Sequence, residues 1–490
     1  MRNPSLFLPM GLLLPALLSA QAPTLPAASP RAAASALTPS FSLRTRAESW
    51  DWFDAGPEGR YAFLGAIARG GVAWQRPGLG ARVELAAPLL LGLPEDAVRP
   101  APQGQLGLGA GYWAANDSAG TDVSLFLKQA VVRVGAAQGK DGHSLRAGRF
   151  EFNDGAETAP ADPTVAAVKR DRVSQRLLGA FGWSHVGRSF DGGAYAFDRR
   201  GANVTVLAAR PTRGAFRTNG WGGLDVGVAY AALTVPTPWL GRRGEARLFG
   251  LHYRDDRELP KLDNRPAPAR ALDSSRLDVT TVGAHLVQVV PTGLGPVDLL
   301  AWGAVQLGDW GGQTHRAHAL ALEVGVQPAG LPALKPWLRA GYYCGSGDAD
   351  AADDRHGTFF NVLPTPRIYA RLPFHNAMNL EEAFGSLVLR PGAKLTVRAD
   401  ARVLGLAERT DLWYGGGGAF EPGTLGFAGR PSGGARKLGT LLDVGAEWRA
   451  TPRVTVAGYV GHVAGGPVLD NAYGADATGG LAYLELEIRR

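Results

Sequence analysis

Short segments in which apolar and polar residues alternate recur along most of this chain, and no other feature limits its possible folds as strongly. In residues 393–403 the apolar side chains occupy every second position, and the positions between them hold Lys394, Thr396, Arg398, Asp400 and Arg402. Successive side chains point to opposite faces of a β-strand, so this period of two predicts a strand with one apolar and one charged face. The same pattern occurs at residues 41–48, 440–449 and 482–488.

The number of such segments separates two kinds of β protein. A soluble β-sandwich also alternates, but it turns its charges to open water and uses about 100 residues per domain. We count about 18 candidate strands with no linker between them, which is typical of the even-numbered antiparallel barrels of outer membranes. The pattern therefore predicts an all-β fold, a single antiparallel transmembrane β-barrel of about 18 strands over residues 41–490.

The first 22 residues have the composition of a secretory signal peptide. A basic start at Met1-Arg2 precedes an apolar run from Leu6 to Leu18, and small residues follow at 19–22. The run is too short to span a membrane, and its flanks fit a cleaved signal. Residues 23–40 are rich in Pro, Ala and Ser and are predicted to form a flexible lead-in. We therefore expect the mature barrel in the cell outer membrane of a Gram-negative-type bacterium.

Composition excludes several other classes of protein. Hydrophobic residues make up 45% of the chain, which is too many for a disordered protein. The single cysteine, Cys344, permits no internal disulfide and no zinc or haem-attachment spacing. Lys and Arg number 51 against 44 Asp and Glu, giving a net charge of +7. The chain has no basic helix or aromatic RNA-binding motif, so we expect no nucleic-acid partner.

The connections predict which end of the barrel faces outward. Longer turn-rich stretches occur at residues 152–178, 255–276, 345–366 and 406–437. Long connections of outer-membrane barrels are extracellular and short ones are periplasmic, so these stretches are predicted to be extracellular. Gly392 and Pro452 mark short hairpins, which are predicted to be periplasmic.

Aromatic residues cluster at two places where strands are predicted to end. Trp50, Trp52 and Phe53 follow the first strand, and Trp413 and Tyr414 precede a glycine run. They fit the aromatic belts of membrane interfaces, and they equally fit ordinary strand-end aromatics.

Three blocks of the sequence resemble the alginate export family of outer-membrane barrels. The first joins Leu127-Lys128-Gln129-Ala130, Leu145-Arg146-Ala147-Gly148-Arg149, Phe152-Asn153-Asp154-Gly155, Arg176-Leu177-Leu178, Trp183 and Arg188-Ser189-Phe190-Asp191-Gly192. The second joins Tyr342-Tyr343-Cys344-Gly345-Ser346-Gly347-Asp348, Gly357-Thr358-Phe359-Phe360-Asn361 and Pro364-Thr365. The third joins Leu438-Gly439-Thr440-Leu441-Leu442-Asp443 and Gly458-Tyr459. Their order along the chain matches that of the family.

The resemblance implies an eighteen-stranded monomeric barrel and passive movement of a polymer or small solute through an arginine-lined lumen. Four arginines, Arg146, Arg149, Arg176 and Arg188, lie within the first block and are the first candidates for the substrate path. The alternative is that these arginines clamp loops to the wall through carboxylates such as Asp154 and Asp191. Alternation alone adds five candidates on the charged faces of strands, namely Arg44, Arg46, Lys394, Arg398 and Arg402.

The charged faces of the four clearest strands carry six cations and six carboxylates. The lumen is therefore predicted to be polar without a demonstrated preference for anions. We predict an outer-membrane channel, porin-like, for passive diffusion or export of an anionic polysaccharide or of small sugars and organic acids. The alternative is a plugged barrel that serves as a scaffold for a periplasmic or electron-carrying partner, and a third hypothesis is a soluble exported adhesin.

We expect neither an enzyme nor a cofactor. No Gly-x-Ser-x-Gly elbow occurs, and the Gly415–Gly418 run lacks the Lys and Ser/Thr of a phosphate loop. The acidic loop with Asp348, Asp350, Asp353 and Asp354 has Ala352 at the third ligand position of a calcium loop and no Glu at the twelfth, so we expect no metal. The expected partners are outer-membrane lipid, the transported solute and the outer-membrane assembly machinery.

Overall fold

The fold is a closed barrel of eighteen antiparallel strands in a computed structural model that describes residues 36–137, 139–237, 243–365 and 371–490. In chain order the barrel strands are β1 Ala36–Asp51, β2 Arg60–Arg76, β3 Leu79–Leu91, β4 Phe126–Gly135, β5 Gly142–Phe150, β6 Phe190–Arg199, β7 Ala202–Pro211, β8 Val226–Pro236, β9 Arg243–Asp255, β10 Leu277–Thr292, β11 Gly295–Trp310, β12 Gln313–Val326, β13 Trp337–Gly345, β14 Leu380–Leu389, β15 Leu395–Gly405, β16 Lys437–Thr451, β17 Val454–Gly465 and β18 Thr478–Arg489. Each strand pairs with the next. The predicted fold class is confirmed.

The barrel closes where its first and last strands meet. β1 pairs antiparallel with β18, from Ser42 opposite Arg489 to Asp51 opposite Gly480. Closure leaves no unpaired sheet edge, which a lipid environment requires. β1 begins at Ala36, and residues 36–40 pair with residues 71–75 of β2, so the predicted lead-in ends earlier than residue 40. The predicted signal peptide at 1–22 and residues 23–35 lie outside the described residues.

The alternation in sequence becomes an inner and an outer face. In β12 the outward side chains of Leu320, Leu322 and Val324 are exposed, whereas Ala319 and Ala321 are buried inside. An apolar outer face and a polar interior are what a barrel in lipid presents. His315 points inward and His318 outward, as their odd spacing predicts.

The connections differ in length between the two ends of the barrel. Two-residue connections at 77–78, 200–201, 293–294 and 452–453 lie at one end, together with Gly392. The long connections lie at the other end, including 92–125, 151–189 and 406–436. This second end is therefore extracellular by the rule for outer-membrane barrels. The positions of the long stretches agree with the sequence predictions, except that 92–125 and 212–225 were not predicted.

Small elements fill the long connections. They are α1 Leu108–Ala115, α2 Pro163–Val168, α3 Ala267–Leu272, α4 Pro467–Tyr473, a 3₁₀ turn at Pro57–Gly59, a π turn at Lys169–Val173, and four short strands at Thr121–Val123, Arg355–His356, Leu412–Gly416 and Phe427–Pro431. The last two strands form a separate hairpin. In the described part of the chain, no helix has the length and apolarity needed to cross a membrane.

The aromatic residues after β1 form an interior cluster and not an interfacial belt. Phe53 is fully buried, and its ring centroid lies 5.4 Å from that of Phe374, 6.3 Å from Trp413 and 5.3 Å from Tyr473. Trp50 faces inward because it has the same parity as Glu48, to which its Nε1 donates at 3.0 Å. Of the two alternatives for these aromatics, the interfacial belt is therefore wrong. They are strand-end aromatics that pack in the interior at the extracellular end.

Candidate functional site

The connection between β5 and β6, residues 151–189, folds into the barrel and is called the lumen loop here. Its residues Val168, Leu177 and Leu178 are fully buried. The lumen loop meets residues 346–365 after β13 through three backbone hydrogen bonds: Leu363 N to Leu177 O at 2.8 Å, Gly179 N to Leu363 O at 2.8 Å, and Thr365 N to Gln175 O at 3.1 Å. Two loops from opposite parts of the sequence thus join inside the lumen.

β1 holds the lumen loop from one side of the wall. Arg44 donates from Nη1 to the carbonyl of Gly182 at 2.6 Å, and Arg46 donates from Nη2 to that of Trp183 at 2.6 Å. His185 lies 3.1 Å from Glu48 between Nε2 and Oε1. Burial and the neighbouring Arg46 lower the pKa of His185 to about 4, so its imidazole is neutral at physiological pH.

The opposite wall holds the lumen loop through two buried glutamates. Glu245 of β9 accepts from Lys169 Nζ at 2.8 Å. Glu323 of β12 accepts from Arg172 Nε at 2.9 Å, and Arg176 Nη2 lies 3.5 Å from its Oε1. Because these carboxylates and cations are buried together, each needs the other for compensation.

A third attachment ties the lumen loop to the 412–431 hairpin. Arg188 donates to the carbonyl of Gly417, and its Nη1 lies 3.4 Å from that of Ala419. The hairpin itself is buried at Trp413 and Tyr414. The lumen loop is therefore fixed to the wall, to residues 346–365 and to the hairpin.

Asp154 organises the first turn of the lumen loop. Its Oδ1 accepts from the backbone N–H groups of Leu177 at 3.1 Å and Leu178 at 2.9 Å. Its Oδ2 lies 3.9 Å from Arg247 Nη2 and has no hydrogen-bond partner. Burial raises the pKa of Asp154 from 3.8 to about 6, and nearby Glu157 acts in the same direction. Arg247 and the backbone donors oppose this rise.

This pKa predicts that the lumen loop is held more firmly in acid. The packed loop binds a proton at Asp154 more tightly than the released loop does, so its stability falls as pH rises from about 4 to about 6. We expect lower open probability in planar bilayers at about pH 5 than at about pH 7, and a smaller difference for Asp154→Asn. The pKa values of Asp348 and Asp411 also lie near 6. Only the difference between the pH profiles of the wild type and Asp154→Asn therefore reports on Asp154. Identical pH profiles would contradict this role.

Two cavities lie in the lumen beside the lumen loop. The larger, of about 750 Å³, is bounded by the inner faces of β3 to β7, by the lumen loop and by β15, and it reaches Asp198 and Asn203 near the periplasmic end. The smaller, of about 250 Å³, lies against β1 to β4 and β18. The charged residues of the larger cavity are Arg82, Arg133, Arg146, Lys169, Arg170, Arg371, Arg398 and Arg402, with Glu151, Glu157, Asp171, Asp198 and Asp400.

Three of the nine predicted path residues line the larger cavity. Arg398 pairs with Asp400 at 2.8 Å, and Arg402 pairs with Glu382. The Arg146 guanidinium carbon lies 4.3 Å from the ring centroid of Phe150. Within the described residues, no carboxylate lies within ion-pair distance of Arg146. Arg146 therefore presents an uncompensated positive charge to the cavity.

Two predicted path residues lie elsewhere. Arg149 is on the outer face with Leu145, because odd-numbered residues of β5 point away from the lumen, and it binds Asp191 at 2.6 Å. Lys394 is exposed in the connection before β15, where its Nζ lies 3.3 Å from the carbonyl of Ala450. These two positions correct the expectation of a lumen location.

The remaining four predicted residues attach the lumen loop. Arg44 and Arg46 lie on the wall, and Arg176 and Arg188 lie on the loop itself. They match the alternative in which arginines clamp a loop, although most of their acceptors are backbone carbonyls and not the carboxylates of Asp154 and Asp191. Arg44 also lines the smaller cavity.

The sequence prediction missed two wall arginines of the larger cavity. Arg82 alternates with Glu84 against Ala81, Val83 and Leu85, so the pattern used for β15 could have found it. Arg133 is directly opposite Arg146 in the pairing of β4 with β5. Like charges placed opposite each other on neighbouring strands repel, which favours an anion near them.

No group of three or more His, Cys, Asp or Glu side chains placed to hold a metal ion occurs in the described ranges. In the acidic loop Asp348 is buried, and its backbone N–H donates to Asp411 at 3.0 Å, while Asp350, Asp353 and Asp354 are exposed.

Comparisons with known proteins agree with this architecture. The family model described as alginate export matches residues 124–480. Among curated proteins, none matches the chain. Three similar solved structures are those of Pseudomonas aeruginosa OpdK with vanillate (10% identity, TM-score 0.53, covering 92% of this chain and 98% of that one), P. aeruginosa OccK2 in complex with glucuronate (9%, 0.54, 92% and 97%) and Acinetobacter baumannii OccAB4 (10%, 0.51, 92% and 97%). At these identities the likeness shows the barrel fold.

Proposed function

The chain belongs to the alginate export family and is an outer-membrane channel, and on that premise we propose that it passes small organic anions through the larger lumen cavity. Arg146 carries this proposal, because it places an unpaired guanidinium at a cavity wall inside the barrel. The charge of the cavity supports it, since eight cationic residues and five carboxylates line the space. An excess of one sign in a low-dielectric cleft concentrates ions of the other sign.

Size favours a small solute over a polymer in this state of the channel. A volume of about 750 Å³ is that of a site for a small molecule. The lumen loop and residues 346–365 join across the lumen, so a polysaccharide needs these loops to move before it can thread the barrel. Both named ligands of the similar structures, vanillate and glucuronate, are carboxylates, which supports this class of solute.

We expect Arg146→Gln to lower the anion-to-cation permeability ratio about threefold, because it removes an uncompensated charge from the cavity wall. The measurement is the reversal potential of the purified protein in a planar bilayer under a salt gradient. Arg149→Gln is the matched control, since it removes an arginine of the same strand from the outer face. Equal ratios for wild type and Arg146→Gln would reject the proposed path.

The plugged scaffold remains the second candidate, because the lumen loop is fixed to the wall on two sides. A barrel that inserts into bilayers, shows no conductance and copurifies with a stoichiometric periplasmic partner would favour it. For either function we propose that the chain is not an enzyme and that the lumen residues act by binding and positioning alone.

A further inference from the structure

The two lumen cavities meet at a partition that contains one carboxylate. Both cavities are lined by Arg82, Glu151, Asn153, Gln175 and Gly182. Glu151 is the first residue of the lumen loop and directly follows β5. It is therefore the only carboxylate among the described residues that borders both spaces.

Glu151 compensates two cations of the wall. Its Oε2 lies 2.8 Å from Arg69 Nη2, and its Oε1 lies 3.2 Å from Arg69 Nη1 and 3.4 Å from Lys128 Nζ. The Lys128 side chain is almost fully buried, and Glu151 is its one acidic partner in the described part of the chain. Arg69 keeps a second partner in Glu84, which also binds Arg82 at 2.5 Å.

We propose that Glu151 is a specificity-determining residue that limits the anion preference of this channel by cancelling the charges of Lys128 and Arg69 at the junction of the two cavities. The inference rests on the proposed function, since it concerns the same path. A carboxylate at this junction acts on a solute in either cavity, whereas Glu157 and Glu84 each border only one.

Glu151 is ionised near neutral pH, because its two cationic neighbours favour the carboxylate form. Burial opposes its ionisation, but Arg69 and Lys128 together lower the pKa of Glu151 to about 2. Its negative charge is thus a fixed property of the path near neutral pH. Removal of the charge without a change of shape leaves the Arg69 guanidinium with one carboxylate partner fewer, and this guanidinium then adds attraction for an anion.

The test compares isosteric variants in planar bilayers under a salt gradient, with chloride and glucuronate as the anions. We expect Glu151→Gln to raise the anion-to-cation permeability ratio about threefold. Arg69→Gln should shift the ratio in the opposite direction, because it leaves Glu151 less compensated. This second variant keeps the test decisive if Glu151→Gln fails to fold.

Glu323→Gln separates charge from loosening of the loop. Glu323 also clamps the lumen loop but borders neither cavity, so its loss should raise the conductance without the threefold rise in the permeability ratio that is expected for Glu151→Gln. Equal shifts for Glu151→Gln and Glu323→Gln, or no shift for both Glu151→Gln and Arg69→Gln, would overturn the inference. If Arg146→Gln still lowers the ratio in that case, the proposed function survives; if Arg146→Gln also has no effect, the path itself is wrong.

Discussion

Replacing residues 152–188 with Asn-Gly should raise the single-channel conductance roughly tenfold, because an eighteen-stranded barrel without an inward loop encloses an aqueous channel. The geometry permits this replacement. Phe150 and Phe190 are cross-strand partners at the ends of β5 and β6, so the flanking residues Glu151 and Ser189 are close enough for a two-residue hairpin turn. The variant keeps Glu151 and Arg146 while it removes the mass of the lumen loop.

Folding of the shortened barrel has to be shown separately. The β1 to β18 seam does not involve the lumen loop, so the variant should still show the heat-modifiable gel migration of a closed barrel. Conductance equal to that of the wild type in a folded variant would mean that residues 346–365 and the 412–431 hairpin close the lumen by themselves. An increase confirms the lumen loop as the main obstruction.

The strands could be predicted from sequence because their information is local. Each alternating segment, such as 393–403, carries its own inner and outer face, and the closed barrel requires no more than repetition of that pattern. The same rule of alternating faces assigns Arg149 to the outer face when it is applied to every residue of β5. Residues 146 and 149 are three positions apart, so both cannot face the lumen in one regular strand, and the resemblance had grouped them without regard to parity.

The lumen loop could not be predicted in this way. Arg44 and Arg46 were expected to face the lumen, and they do, but their partners are carbonyls of residues 182 and 183, far away in sequence. Every residue has a backbone carbonyl, so a carbonyl acceptor cannot be recognised in the sequence. An arginine that binds a loop carbonyl therefore has the same sequence pattern as an arginine that faces an open lumen. Long-range packing therefore decides which arginines hold the loop and which remain for a solute.

Burial of the aromatic residues also depended on distant partners. The parity of Trp50 shows that it points inward, yet Trp52 and Phe53 lie beyond the regular strand, where parity gives no direction. Phe53 is buried by Phe374, Trp413 and Tyr473, which come from three other connections. Only the assembled barrel brings these rings together at the extracellular end.

Glu323 is the most heavily used clamp of the lumen loop. Arg172 approaches it through two nitrogens at 2.9 Å, Arg176 at 3.5 Å and Arg339 of the wall at 3.1 Å. The side chain is 1% exposed, so water compensates these charges very little. Arg339 retains Asp298 as a second partner, and Arg176 also donates to the carbonyl of Arg172. The loss of Glu323 therefore removes the carboxylate that Arg172 and Arg176 of the loop share with Arg339 of the wall.

We expect Glu323→Gln to destabilise the packed lumen loop by about 3–5 kcal/mol, the usual cost of removing one partner of a buried ion pair. The loop should then open transiently, which raises the mean conductance and makes backbone amides near residues 169–176 exchange faster with deuterium. Glu381→Gln is the matched control, because it breaks an exposed pair with Arg436 at 2.9 Å that contributes at most about 1 kcal/mol. Unchanged exchange in the Glu323 variant would show that the carbonyl bonds from Arg44, Arg46 and Arg188 hold the loop without the carboxylate.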